Sequence, residues 1–140
     1  MSAADLRPPH PADALMLRAI DVARRAREHG NHPFGALLAD PDARVLIEAE
    51  NTVVSEAECT GHAEMNLVRL AAQHYDTAFL ADCTLYTSTE PCAMCSGAIY
   101  WSGIGRVVYG LSEARLLALT GNHPENPTLR LPCREVFARG

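Results

Sequence analysis

Two short segments with chemically reactive side chains constrain the fold of this chain more than any other feature of its sequence. The first is His62-Ala63-Glu64, and the second is Pro91-Cys92-Ala93-Met94-Cys95. Each lies at the start of a predicted helix that follows a strand or a loop. The chain between them is long enough for one helix and one strand that returns to the same sheet edge. The sequence therefore predicts a layered domain that brings the two segments together.

Hydrophobic spacing along the chain predicts one α/β domain over residues 1–140, with parallel strands in its second half. Residues 1–11 are predicted to form a loose N-terminal tail. Helices are predicted over residues 12–29, 62–75 and 113–119, and another helix has Pro91 in its first turn and ends before Gly103. Strands are predicted over 34–39, 44–49, 83–88, 106–111 and 133–137.

The composition favours a globular protein and argues against a large nucleic-acid-binding surface. Hydrophobic residues make up 48% of the 140 residues, and the formal net charge is −5. All basic residues are arginines, and Arg24, Arg25 and Arg27 form the one local cluster, which argues against nucleic acid as a partner. No apolar run reaches the roughly 20 residues of a membrane span, and no signal-peptide pattern is present. We therefore expect a cytoplasmic protein with no membrane contact.

The reactive residues fit a catalytic zinc site. One imidazole (His62) and two thiolates (Cys92 and Cys95) can bind zinc and leave the fourth tetrahedral position to water. Glu64 lies close enough to His62 to exchange protons with that water without binding the metal. The combination fits hydrolytic attack on an amidine-like ring carbon with loss of ammonia.

Each segment alone has a less specific interpretation. An isolated His-x-Glu is rarely catalytic, and an isolated Cys-x-x-Cys can be a redox pair or two core thiols. The joint pattern favours the metal site. The other cysteines, Cys59, Cys83 and Cys133, are predicted to be buried, and Cys59 is the one that could lie near the metal.

The stretch from Thr87 to Trp101 resembles the zinc-dependent cytidine/deoxycytidylate deaminase superfamily, and so does Pro33-Phe34-Gly35-Ala36 ahead of Asn51. Within this superfamily, the chain resembles the branch that contains bacterial guanine deaminases, yeast-type cytosine deaminase and tRNA adenosine deaminases. The resemblance extends from about residue 12 to about residue 119.

This resemblance implies a three-layer α/β/α sandwich with a mixed five-stranded sheet, Zn²⁺ as cofactor and a homodimer. It implies that His62, Cys92 and Cys95 hold zinc while Glu64 transfers protons. Asn51 and the backbone N–H of Ala63 would contact the substrate ring.

Phe34 and Trp101 are two further candidates for substrate contact. Phe34 is equally suited to the core, and Trp101 to helix packing or a subunit interface. Asn51 also has an alternative role, because asparagine is common in turns. His32, His74 and His123 are interpreted as solvated or loop residues.

The leading functional hypothesis is deamination of a free nucleobase, nucleoside or similar small aminated heterocycle. One alternative is a tRNA-specific adenosine deaminase, suggested by the same motif and the arginine cluster. Another is a non-catalytic zinc-stabilised interaction module, although Glu64 argues against it.

The sequence departs from this branch at three places. Residues 121–127 replace the Gly-Phe-Asp-Asp segment of bacterial guanine deaminases, and Glu125 or Asn126 could supply a replacement contact. Gly61 stands where the branch has alanine. Enzymes of the branch also continue into a C-terminal helix that helps to close the pocket. The alternatives for this chain are a more open pocket, closure by a partner subunit, or a longer natural chain.

Overall fold

The computed structural model describes residues 10–124 and 126–140, so residues 1–9 of the expected tail and Glu125 lie outside the described residues. The described part of the chain forms six helices and four strands. The helices are α1 (Pro11–Glu28), α2 (Ala63–His74), α3 (Thr77–Leu80), α4 (Ala93–Ser102), α5 (Glu113–Thr120) and α6 (Cys133–Phe137). The strands are β1 (Gly35–Ala39), β2 (Val45–Glu50), β3 (Thr84–Thr89) and β4 (Arg106–Leu111).

The strands form one mixed sheet in the order β2-β1-β3-β4. β1 is antiparallel to both of its neighbours, whereas β3 and β4 are parallel. The α/β class with a mixed sheet is therefore confirmed, together with the parallel pair in the second half. The described residues form four strands and not the five that were expected.

The missing strand is the segment 133–137, which forms α6 and not a strand. Cys133 is buried and Phe137 is half-buried, while Arg134 and Glu135 between them are exposed. Positions four residues apart share one face of a helix, whereas a strand would place Glu135 on the same face as those two residues. The burial of Cys133 and Phe137 together therefore requires a helix.

Helices pack against both faces of the sheet, because neighbouring residues of β1 point in opposite directions. On one face, Leu37 and Ala39 of β1 contact α1 in a cluster with Leu15 and Ala19. On the other face, Ala36 and Leu38 join a larger cluster that includes these residues of α2, β3 and α4: Leu67, Leu85 and Ile99.

Gly35 permits the close approach of α1 to β1. A Cβ at this position would lie 2.4 Å from the backbone N of Ala23 and 2.7 Å from the backbone O of Ala19. No side chain fits that gap, so glycine sets how near the helix lies to the sheet.

The predicted helices 12–29, 62–75 and 113–119 have ends that differ by one residue from the observed ones, the short helix α3 was not predicted, and prolines account for the starts of α1 and α4. Pro11 is the first residue of α1, preceded by the N-cap His10, because the fixed φ of proline suits that position and its missing N–H is not needed there. α4 begins at Ala93 with Cys92 as its N-cap, so Pro91 lies just before the helix and not in its first turn. Among the described residues, no helix combines the length and the apolar character that a membrane span requires.

Candidate active site

The site lies at the edge of the sheet where β2, β3 and β4 end. Because β1 is antiparallel to both neighbours, β2 runs in the same direction as β3 and β4. Their carboxyl ends therefore meet at one edge, and the residues that follow them are Asn51, Glu90 and Ser112. β1 runs the other way, so Phe34, which precedes it, lies at the same edge. This topology brings distant parts of the chain to one place.

His62, Cys92 and Cys95 come together there at the starts of two helices. His62 is the N-cap of α2, Cys92 is the N-cap of α4, and Cys95 lies in the first turn of α4. Their candidate ligand atoms all lie within 4.8 Å of one another. The Nδ1 atom of His62 is 3.6 Å from the Sγ atom of Cys92 and 3.4 Å from that of Cys95.

These distances fit a tetrahedral zinc ion. Zn–S bonds of about 2.3 Å and Zn–N bonds of about 2.0–2.1 Å at a tetrahedral angle place ligand nitrogen and sulfur about 3.5 Å apart. The separations of 3.6 Å and 3.4 Å both lie close to that value. The donor set of two thiols and one imidazole also suits zinc.

The surroundings of the two cysteines favour a thiolate. A hydrogen bond with Cys95 lowers the pKa of Cys92 to about 4, with a further contribution from His62. The same bond, together with burial, raises the pKa of Cys95, and the bond to Cys92 raises the pKa of His62. The N-terminal end of α4 also stabilises negative charge at Cys92.

Glu64 is buried on the first turn of α2, with 6% of its surface exposed. Burial raises the pKa of its carboxyl group to about 7, so the group can both accept and donate a proton near neutral pH. Ala63, the residue between His62 and Glu64, is the first residue of α2. Its backbone N–H therefore has no partner within the helix and can donate to a ligand.

Asn51 is buried, with 2% exposure, and its orientation is fixed by its own turn. Its Oδ1 accepts a hydrogen bond of 3.0 Å from the backbone N–H of Val53. Its backbone N–H donates to the carbonyl of Phe34 at 3.1 Å. These contacts leave the amide nitrogen of Asn51 for a ligand.

Hydrogen bonds connect the loop that carries Asn51 to α2 and to the residue before its N-cap. The backbone N–H of Thr52 donates to the carbonyl of Gly61 at 2.8 Å, and Asn66 of α2 donates to the carbonyl of Glu50 at 3.0 Å. A Cβ on Gly61 would lie 2.8 Å from the Thr52 hydroxyl. A side chain at position 61 would therefore crowd Thr52.

A cavity of about 420 Å³ opens at this edge of the sheet. Glu64, His62, Cys92, Asn51 and Phe34 all line it. A space of this size suits a small heterocyclic ligand.

The comparisons with known proteins agree with this geometry. The family model for the cytidine and deoxycytidylate deaminase zinc-binding region matches residues 9–111. This chain belongs to that deaminase family.

Individual relatives carry different activities in their names. A probable cytosine deaminase of Schizosaccharomyces pombe is 45% identical over 124 residues, which cover 89% of this chain and 75% of that protein. A tRNA-specific adenosine deaminase of Haemophilus influenzae is 35% identical over 107 residues, 76% of this chain and 62% of that protein. A solved structure of guanine deaminase from Nitrosomonas europaea matches with a TM-score of 0.74 and 28% identity, over 96% of this chain and 76% of that one.

Family membership confirms the resemblance drawn from the sequence, the zinc cofactor and the enzyme class, a zinc-dependent hydrolase that acts on C–N bonds. His62, Cys92 and Cys95 of this deaminase would hold the ion. When bound, zinc supplies an activated water for hydrolysis.

Trp101 and Cys59 are not among the residues that could bind the metal. Trp101 is 81% exposed on α4, packs edge-on against Tyr100 and does not line the cavity. Cys59 is exposed, not buried as predicted, and it lines the cavity without belonging to the metal-binding set. Cys83 and Cys133 are buried, as predicted.

Sequence reasoning missed a wall of the cavity made by α5 and the segment that follows it. Three residues of α5, Glu113, Leu116 and Thr120, line the cavity. Their spacing of three and four residues places them on one face of the helix. This spacing is visible in the sequence and could have identified them as one surface of the cavity. His32 and His123, interpreted as solvated or loop residues, also line the cavity.

Glu90 connects this wall to the metal-binding segment. It is buried and directly precedes Pro91 and Cys92. One carboxylate oxygen accepts from the backbone N–H of Glu113 at 3.1 Å, and the other accepts from that of Cys133 at 2.8 Å. Glu90 therefore fixes the starts of α5 and α6 relative to Cys92.

Proposed function

We propose that this chain catalyses the hydrolytic deamination of a free nucleobase, nucleoside or similar small aminated heterocycle, with release of ammonia. The observation that carries the proposal is the placement of buried Glu64 beside the His62, Cys92 and Cys95 set, in a cavity of about 420 Å³. A structural zinc site is typically closed by four protein ligands, whereas three ligands and an adjacent acid–base group suit hydrolysis. This argues against a non-catalytic zinc module.

The side chains have complementary tasks in such a reaction. Glu64 takes one proton from the attacking water and gives it to the ring nitrogen. It then takes the second proton from the hydroxyl group on the ring carbon and gives it to the departing amino group. The C–N bond breaks, ammonia leaves, and the ring carbon becomes a carbonyl. Asn51, the Ala63 N–H and Phe34 hold the ring in place while this occurs.

The charges around the cavity favour a substrate without phosphate groups. In the described part of the chain, the cavity is lined by Glu64, Glu90 and Glu113 but by no arginine. Carboxylates repel phosphate groups and no arginine is present among the described lining residues to pair with them, so this lining disfavours a nucleotide or a tRNA.

The arginine cluster on α1 also gives little support to tRNA binding. Arg24 pairs with Asp21 at 2.6 Å and with Glu28. Arg25 pairs with Glu48 at 3.3 Å. These carboxylates neutralise much of the charge that would attract an RNA backbone, so the similarity to tRNA-specific adenosine deaminases does not by itself favour that substrate.

Ammonia release by the wild type, Glu64→Gln and Glu135→Gln tests the proposal. The substrates are cytosine, guanine, adenine, their nucleosides, aminated triazines and pterins, and a tRNA with a wobble adenosine. We expect Glu64→Gln to retain zinc and to lose about 10²–10⁴-fold in turnover of a small substrate.

Glu135 is exposed on α6 and serves as the control, so Glu135→Gln should match the wild type. Equal turnover by Glu64→Gln would refute the role of Glu64. Turnover of the tRNA alone would refute the argument from charge.

We also propose that the protein forms a homodimer through the exposed apolar surface of Tyr100 and Trp101. Small-angle scattering at micromolar concentration should give twice the chain mass of 15.2 kDa. A mass equal to one chain would refute the dimer.

A further inference from the structure

Three carboxylate side chains line the cavity in the described part of the chain. The proposed reaction uses one of them, and a second is hydrogen-bonded to the backbone. Glu64 lies beside the metal-binding set, and both oxygens of Glu90 accept backbone N–H groups. Glu113 is the third.

The carboxylate of Glu113 forms no hydrogen bond or ion pair with the residues that the structure describes. It is nevertheless half-buried, and burial raises its pKa, with a further contribution from the nearby Cys92 and Glu90. Because no described protein group donates to it, this carboxylate takes its hydrogen bonds from water in the cavity or from a ligand that displaces that water. Glu113 is therefore an acceptor available to a ligand in the cavity.

The position of Glu113 is well determined by the backbone. Its backbone N–H donates a hydrogen bond of 3.1 Å to the carboxylate of Glu90. The Ser112 hydroxyl caps α5 by accepting a hydrogen bond of 3.1 Å from the backbone N–H of Arg115. Leu116 and Thr120 line the cavity from the same face of the helix. Glu113 thus belongs to a wall other than the one that carries His62, Cys92 and Cys95.

We propose that Glu113 determines specificity by accepting a hydrogen bond from a ring N–H of the substrate, so that the enzyme prefers free nucleobases to their nucleosides. This inference rests on the proposed function. In the reaction the amino-bearing ring carbon must lie at the metal-binding set and Glu64. Another edge of the ring then faces the α5 wall.

The preference follows from the chemistry of the two ligand types. A free base such as cytosine or guanine carries a ring N–H at the nitrogen that bears the sugar in its nucleoside. In the nucleoside that donor is absent and a bulky sugar replaces it. A carboxylate at that position gains a charge-assisted hydrogen bond from the base and has no partner in the nucleoside.

The test compares kcat/KM for a base and its nucleoside, with cytosine against cytidine and guanine against guanosine. The proteins are the zinc-loaded wild type, Glu113→Gln and Glu135→Gln. We expect the wild type to prefer the base, and Glu113→Gln to lower kcat/KM for the base by about 10- to 100-fold, the range for a hydrogen bond to a charged group. The value for the nucleoside should change by less than about twofold, and Glu135→Gln, which removes an exposed first-turn carboxylate, should match the wild type.

A binding measurement separates this inference from the proposed function. Calorimetry with zinc-loaded Glu64→Ala, with and without Glu113→Gln, measures affinity for the base independently of turnover, and far-UV circular dichroism and zinc content verify folding. Weaker base binding upon Glu113→Gln supports the contact. An unchanged base-to-nucleoside ratio in active enzyme, unchanged base affinity, or undetectable base binding overturns it.

Absence of ammonia release from every compound by the wild type would instead overturn the proposed function. The calorimetric comparison would still decide whether Glu113 contacts the base.

Discussion

The two hydrogen bonds of Glu90 allow a quantitative prediction about stability. Its carboxylate holds the backbone N–H groups of Glu113 and Cys133 at 3.1 Å and 2.8 Å, and both bonds lie at least partly out of water. In Glu90→Gln the amide has only one carbonyl oxygen. One of the two N–H groups therefore faces an NH₂ group and loses its acceptor.

The expected cost follows from typical hydrogen-bond energies. Leaving a buried donor unpaired costs about 1–3 kcal/mol, and the surviving bond changes from a charged to a neutral acceptor, which roughly halves its strength. We expect Glu90→Gln to lower the free energy of unfolding by about 2–4 kcal/mol. That is a large part of the roughly 5–15 kcal/mol available to a domain.

Urea unfolding of the zinc-loaded proteins, followed by far-UV circular dichroism, measures this difference. Tryptophan fluorescence is a poor probe, because Trp101 is already 81% exposed in the folded protein. The control Glu135→Gln removes an exposed carboxylate and should change stability by no more than about 0.5 kcal/mol.

Hydrogen–deuterium exchange provides a local test of the same bonds. The amides of Glu113 and Cys133 should exchange faster in Glu90→Gln, while the central strand β1 keeps its protection at early times. A loss of stability no larger than that of the control, with both amides still protected, would refute the assignment of these bonds.

Three further predictions follow from other parts of the structure. Cys92→Ser should reduce the bound zinc from one ion per chain to almost none, as measured by elemental analysis. The control Cys59→Ser should retain its zinc. Zinc retained by Cys92→Ser would contradict the ligand set. Gly35→Ala should destabilise the protein by about 1–3 kcal/mol because the new Cβ would overlap the backbone of α1. Gly97→Ala should stabilise it by about 0.5–1 kcal/mol, because Gly97 lies in a helix with open space around it. Equal urea midpoints for the two variants would refute this prediction. Hydrogen bonds from arginines lower the pKa of Glu48 below its usual 4.5, so its stabilising effect is present above the unfolded pKa and is lost as the pH falls through the folded one. The stability difference between wild type and Glu48→Gln, measured by urea unfolding, should therefore vanish in acid, and a difference that grows below pH 4 would contradict the pairing.

The metal-binding residues could be predicted from the sequence because they lie in two short motifs at the starts of helices. His62 and Cys92 are N-caps, and the helix starts are marked by the onset of hydrophobic spacing. Asn51 and Phe34 were found by resemblance, and the structure places both at the cavity.

The predictions from sequence were wrong where a segment is too short to show a hydrophobic period, or where tertiary packing determines the orientation of a side chain. The five residues of α6 are too few to distinguish a strand from a helix, and the burial of Cys133 and Phe137 decides between them. Trp101 was a candidate for the cavity because of its residue type, but the orientation of α4 places it in solvent.

Glu113 could have been found from the sequence by one further step of topological reasoning. The strands 83–88 and 106–111 were predicted to be parallel, and parallel neighbours end at the same edge of a sheet. Cys92 follows the first strand by a few residues, so the residues just after the second strand, Ser112 and Glu113, must lie beside the metal-binding segment. The observed register, with Thr89 opposite Leu111, places Glu113 there. The direction of strands therefore carries more information about this cavity than residue type does, since the same rule also places Asn51 after β2 at that edge.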